Sequence, residues 1–174
     1  MAIVDAIPGS PTANAYCTVA AATLYLDERL HTEPWDTATP EDQATAVIWA
    51  TSLLDEQVRW HGTPTTTTQA LAWPQMGQVD RYRRPIPSDV VPDDVQKATA
   101  YYALALLKDQ TDVPGSSTQA VKRKTIGGLT VEYQSTQTTQ ATRAAYHGIP
   151  SEVRAILAPY GRMMGGVVIP LLKG

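Results

Sequence analysis

Phenylalanine is absent, cysteine occurs once, and basic residues are outnumbered by acidic ones, 14 to 17. Each shortage removes a class of function. A lone Cys17 forms no internal disulfide and builds no thiolate metal site, which points to a reducing compartment. A net charge of -3 argues against broad electrostatic attachment to phosphate backbones, because that mode needs clustered lysine and arginine to displace counterions. The longest apolar run, Ala100–Leu107, is far below the ~20 residues of a bilayer span. Met1–Pro11 has no basic stretch followed by an apolar one, so no classical secretion signal is read and a soluble protein without membrane contact is expected.

Catalytic groups are equally scarce. His31, His61 and His147 lie far apart in sequence, no pair of them has helical ligand spacing, and no G-x-S-x-G elbow occurs. Asp27-Glu28, Asp55-Glu56 and Asp93-Asp94 read as ordinary solvent-side helix acids. Gly127-Gly128 and Gly165-Gly166 match neither a P-loop nor a dinucleotide fingerprint. The expectation is a protein without enzymatic activity, cofactor or metal, one that works through its surfaces.

What is present is a globular composition, 43% hydrophobic and 18% charged, with 13 prolines and many threonines that imply much irregular chain. Pro8, Gly9, Pro11 and Asn14 punctuate residues 1–17, which read as an extended N-terminal arm. A first helix follows the N-cap Thr18, with Val19, Ala22, Leu26 and Leu30 on one stripe, and ends near His31. The second is the clearest: Thr39 caps, Pro40 takes the first position, Glu41 and Asp42 suit the positive end of the dipole, and the pattern runs to about Arg59. Gly62–Pro92 reads as a long ordered loop. A third helix opens at Pro92-Asp93-Asp94 and is apolar almost all round over Ala98–Leu107. Two strands about Gly127-Gly128 predict a β-hairpin at about 121–133, and Pro150 opens a fourth helix ending near Tyr160-Gly161.

The expected fold is therefore mainly α: a small helical bundle of about four helices over 18–161, with a β-hairpin insertion, long ordered loops and an extended C-terminal arm over 162–174. Burying Val167, Val168, Ile169, Pro170, Leu171 and Leu172 yields ~1.5–3 kcal/mol per aliphatic side chain, while ordering each backbone residue costs ~1–2. Such a tail gains only by docking on a preformed partner groove.

Two basic clusters stand out, Arg81-Tyr82-Arg83-Arg84 and Lys122-Arg123-Lys124. Either can contact phosphate or stack on a base, and either can equally complement an acidic protein surface. Most tryptophans read as core, but Trp73 before Pro74 suits an interface anchor, so Trp73, Pro74 and Arg81–Arg84 form a candidate subunit or tail interface.

The order of several segments resembles one family. They are Asn14-Ala15-Tyr16-Cys17-Thr18, Ala46–Thr51 with Leu53-Leu54-Asp55, Trp60-His61-Gly62, Gln69–Pro74 and Pro85–Pro92, together covering roughly residues 14–108. This set is similar to phage neck proteins labelled DnaT-like single-stranded DNA-binding domain proteins, which belong with head-tail adaptors. Gln75 and the basic Arg81–Arg84 depart from that pattern. The resemblance implies a homo-oligomeric ring of about twelve copies in the virion neck, assembled in the host bacterial cytoplasm. It further implies a portal partner reached by the C-terminal arm, a next tail component (nozzle, stopper or tail tube), and genomic DNA passing through the lumen without sequence-specific contact. The alternative is a single-stranded DNA binder using Arg81–Arg84 and Lys122–Lys124.

Overall fold

A computed structural model describes residues 2–108, 123–126, 129–132 and 148–164. Among these residues the helices are α1 (Val19–Asp27), α2 (Glu33–Asp36), α3 (Pro40–Gln57), α4 (Asp93–Lys108) and α5 (Ser151–Leu157). The strands are β1 (Val58–Trp60), β2 (Thr63–Pro64), β3 (Gln75–Met76), β4 (Arg123–Ile126), β5 (Leu129–Glu132) and β6 (Gly161–Met163), paired antiparallel as β1–β6, β2–β3 and β4–β5.

The described residues do not form a four-helix bundle. A bundle needs several helices long enough to run alongside one another. Among the described residues only α3 with 18 residues and α4 with 16 are that long, whereas α1, α2 and α5 have 9, 4 and 7. The observed architecture is a central α4 against which α1, α2, α3 and α5 pack, interleaved with three small two-stranded sheets. Val95, Ala98, Thr99, Ala100, Tyr102, Ala103, Leu104 and Leu106 of α4 are buried, matching its nearly all-round apolar sequence.

Helix starts follow the expected chemistry. Thr18 Oγ1 accepts from the Ala21 N–H and Thr39 Oγ1 from the Asp42 N–H, each satisfying an otherwise orphaned donor. Helix ends differ. α1 stops at Asp27 and His31 takes a positive φ of 65°, so Leu30 leaves the apolar stripe and is 81% exposed. α3 stops because Val58 turns extended, at φ -112° and ψ 120°, and enters β1. That strand pairs Val58 with Met163 and Trp60 with Gly161, bringing the end of the described chain back onto α3.

Residues 2–17 contain no helix or strand but are folded, not extended. Asp5 organises them: its carbonyl accepts from the Asn14 and Ala15 N–H groups at 2.9 and 3.2 Å, and its carboxylate accepts from Thr12 Oγ1 at 2.7 Å. Ala13, Ala15, Tyr16 and Cys17 are consequently buried in the core. Burial pushes the Cys17 thiol up to about 12, which keeps it protonated and inert.

The long segment between α3 and α4 is also fastened. Tyr16, Trp60, Trp73 and Tyr160 form a chain of edge-to-face rings with centroids 6.2, 5.8 and 6.0 Å apart, joining the N-terminal segment, β1, the loop and the end of α5. Asp55 sits beneath it, accepting from the Tyr16 hydroxyl, from Trp60 Nε1 at 3.0 Å and from the Ala72 N–H at 3.1 Å. Thr65 Oγ1 donates to the Ser88 carbonyl at 2.6 Å, and Gln69 Nε2 donates to the Leu71 and Pro74 carbonyls. The Trp73-Pro74 peptide is cis. No helix among the described residues is long and apolar enough to cross a membrane.

Candidate functional site

Among the described residues the loop 80–84 gathers exposed chemistry-bearing side chains, and Asp80 builds it. Its Oδ1 accepts from the Tyr82 and Arg84 N–H groups at 2.8 and 2.9 Å, its Oδ2 accepts from Arg84 Nε at 2.6 Å, and its backbone carbonyl accepts from the Arg83 N–H at 2.9 Å. An aspartate capping the chain two and four residues on is the ordinary chemistry of a tight loop. Desolvation opposes ionisation of Asp80, but the bonds from the Arg84 N–H, the Arg84 guanidinium and the Tyr82 N–H outweigh it and hold the carboxyl below the usual 3.8. A bridge between Val79 and Pro85 and the Ile86 N–H donating to the Gln78 carbonyl close the base of the loop.

The wrapping turns the Tyr82 ring and the Arg83 and Arg84 side chains outward. Tyr82 is 72% exposed, and the Arg84 guanidinium carbon lies 5.2 Å from its ring centroid. Arg83 occupies the left-handed region at φ 63°, and its guanidinium has no partner among the described residues. Arg81 reaches back instead, donating from Nη2 to Asp94 Oδ2 at 3.1 Å, and the Asp94 charge raises its already high affinity for a proton. Tyr160 Oη donates to the same oxygen at 2.8 Å. Burial, reinforced by Asp94, raises the Tyr160 hydroxyl well above its ordinary value, so it remains a donor.

Between this loop and the start of α4 runs an open groove of about 680 Å³. Its floor is apolar, with Ile86, Val90 and Val91, and its rim mixes Arg81 and Arg84 with Asp80, Asp93 and Asp94. The groove itself is therefore not electropositive. Beside the groove, positive charge lies at the outer tip of the loop, on Arg83 and Arg84.

One family model, described as "Putative DnaT-like ssDNA binding protein", matches residues 1–169. The chain belongs to that DnaT-like family. No curated protein and no solved structure matches it.

Within the DnaT-like match the expected site residues separate into distinct environments. Arg81, Tyr82, Arg83 and Arg84 are adjacent and exposed. Trp73 and Pro74 are not: Trp73 is 1% exposed in the ring chain and Pro74 is buried beside it, so both are core and offer no anchor to a partner. Arg123 and Lys124 lie on β4, opposite Glu132 and Val131, while Lys122 falls outside the described residues. Val167, Val168, Ile169, Pro170, Leu171 and Leu172 also lie outside them.

The sequence reading missed Asp55, Asp80, Asp94 and Tyr160. Asp55 was expected at a solvent-side position, yet it is the hub beneath the aromatic chain. Asp80 was legible in principle, since an aspartate four residues before Arg84 in a proline-bounded loop is a turn signal. Asp94 and Tyr160 are 66 residues apart, and no local pattern joins them.

Proposed function

We propose that this DnaT-like chain binds single-stranded DNA through the loop 80–84. The observation that carries the reading is the presentation of Tyr82, 72% exposed and flanked by Arg81, Arg83 and Arg84, on a loop that Asp80 shapes. An exposed ring beside guanidiniums is the minimal single-strand platform: any base stacks on the ring while phosphates meet the cations, without sequence readout. The label of the family agrees with this reading. With a net charge of -3 and acids along the groove, the affinity is modest, in the micromolar range, and salt-sensitive. The test is fluorescence anisotropy with a labelled oligothymidylate. Binding that weakens with salt, falls on Tyr82→Ala and disappears in the Arg81→Ala, Arg83→Ala, Arg84→Ala triple variant supports the reading; binding indifferent to all three arginines refutes it.

A second reading, a structural subunit of a phage head-tail adaptor ring, is favoured by a different observation. Among the described residues Ile3, Ile7, Leu24 and Leu30 are 77, 67, 69 and 81% exposed, four large aliphatic side chains open to a partner surface. This reading also rests on the motif order that resembles phage neck proteins. Mixing the chain with its portal then gives a ring-on-ring particle in native mass spectrometry, and deleting residues 166–174 abolishes docking while leaving the fold intact. Undiminished docking after the deletion removes the tail from the interface.

A further inference from the structure

We propose that Asp94 is an internal competitor for phosphate: it latches Arg81 onto the protein and so holds one of the three loop cations out of the DNA contact. The inference rests on the DNA-binding reading above and concerns how that surface is regulated.

The three arginines of the loop are not equivalent. Arg83 is free of side-chain partners among the described residues. Arg84 is bound through Nε to Asp80 Oδ2, while Oδ1 of the same carboxylate accepts the two backbone N–H groups that shape the loop, so its partner belongs to the platform itself. Arg81 differs from both. Its partner lies on another element, in the first turn of α4, and takes no part in the loop's own hydrogen bonds. The pair is partly open to water, with the Arg81 side chain 46% and the Asp94 side chain 29% exposed. An ion pair so placed is weak enough to exchange with a solvent anion, yet strong enough to bias the guanidinium away from the loop tip.

Tyr160 makes the latch separable from the fold. Its hydroxyl donates to Asp94 Oδ2, the oxygen that also accepts from Arg81. An asparagine at this position presents a carbonyl oxygen to Tyr160 while giving up the charge that retains Arg81. Asp93, the adjacent carboxylate on the same groove rim, has no ion pair with Arg81. It therefore supplies a control that removes the same charge without opening the latch.

The experiment measures oligothymidylate affinity over a range of NaCl concentrations for the full chain and for D94N, D93N and the D94N/R81A double variant, each checked for an unchanged circular dichroism spectrum. Releasing one exposed ion pair predicts D94N binding about two- to fivefold tighter, with a salt slope steeper by ~0.7, the increment of one added single-strand phosphate contact. The double variant returns to the unmodified chain's affinity and slope. An equal gain from D93N, or a D94N gain that survives the loss of Arg81, overturns the latch and leaves the DNA-binding reading standing. Absence of salt-dependent binding by the unmodified chain and by D94N alike overturns both.

Discussion

Replacing Asp55 by alanine removes the acceptor that three segments share, and its cost can be built from the structure. The buried Tyr16 hydroxyl loses the acceptor for its proton, a cost of about 1–3 kcal/mol for a buried unsatisfied donor. Trp60 Nε1 and the Ala72 N–H belong to half-buried residues that water can partly reach, so each adds at most about 1 kcal/mol. Against this stands the relief of removing a carboxylate that burial disfavours. The net expectation is a loss of about 2–4 kcal/mol, or a fall in Tm of about 6–12 °C for a chain of this size. Urea denaturation followed by tryptophan fluorescence measures it directly, because Trp60 and Trp73 report on the affected ring chain.

The pH dependence of the same site supplies the refuting result. Desolvation raises the Asp55 carboxyl above its ordinary 3.8, outweighing the donors from Tyr16, Ala72 and Trp60 that favour its ionised form. A carboxyl raised on folding binds more protons in the native than in the unfolded state, so its contribution is fully present below 3.8 and is lost as pH rises through the folded value. The stability advantage of the unmodified chain over Asp55→Asn, whose side chain does not titrate, therefore shrinks on going from acid to neutral pH. An advantage that grows with pH means that ionised Asp55 stabilises the fold, and the burial argument for this hub is then wrong.

Gly161→Ala brings a Cβ to 2.6 Å from Val58 Cγ1 and 3.0 Å from the Arg59 carbonyl oxygen, so the β1–β6 pairing opens at a cost of about 1–3 kcal/mol, visible as faster amide exchange at Met164 and His61. Burial pushes the Tyr102 hydroxyl up from 10.0 to about 12, so its contribution is present below pH 10 and lost as pH rises through 12; Tyr102→Phe blunts alkaline unfolding in that window. Because that buried hydroxyl makes no hydrogen bond of ordinary length among the described residues, the same substitution changes stability at pH 7 by less than about 1 kcal/mol in urea denaturation.

The features legible in the sequence are those whose causes lie within a few residues. Thr18 and Thr39 as caps, Pro40 at the first helical position, and the acids opening α3 and α4 act locally, and the helices begin where those signals sit. The bundle expectation failed where the decisive contacts are distant. Val58 and Trp60 favour a strand by residue type, but three residues after a long helix show no partner; Val58 turns extended to pair with Met163, more than a hundred residues later. The ring chain has the same character. Trp73 before a proline suits an exposed anchor by itself, and only the convergence of Trp60 and Tyr160 makes it core. At the surface, the basic cluster was visible as composition, but its division into a free Arg83, a loop-bound Arg84 and a helix-bound Arg81 depends on carboxylates that no local spacing places there.

That division gives the salt slope of DNA binding a structural meaning. Each single-strand phosphate contact contributes about -0.7 to the slope, so Arg83 alone gives about -0.7 and all three loop arginines about -2. A slope near the first value means that Asp80 and Asp94 keep their partners in the complex, and a slope near the second means that phosphate displaces both. A slope of about -4 exceeds what the loop can supply and requires a second cluster of three cations, for which Lys122, Arg123 and Lys124 are the sequence candidates. A slope of zero leaves the loop to a protein partner, whose acidic surface would then do what phosphate does in the other cases. One titration against salt thus distinguishes how many arginines are engaged and whether nucleic acid is the ligand at all.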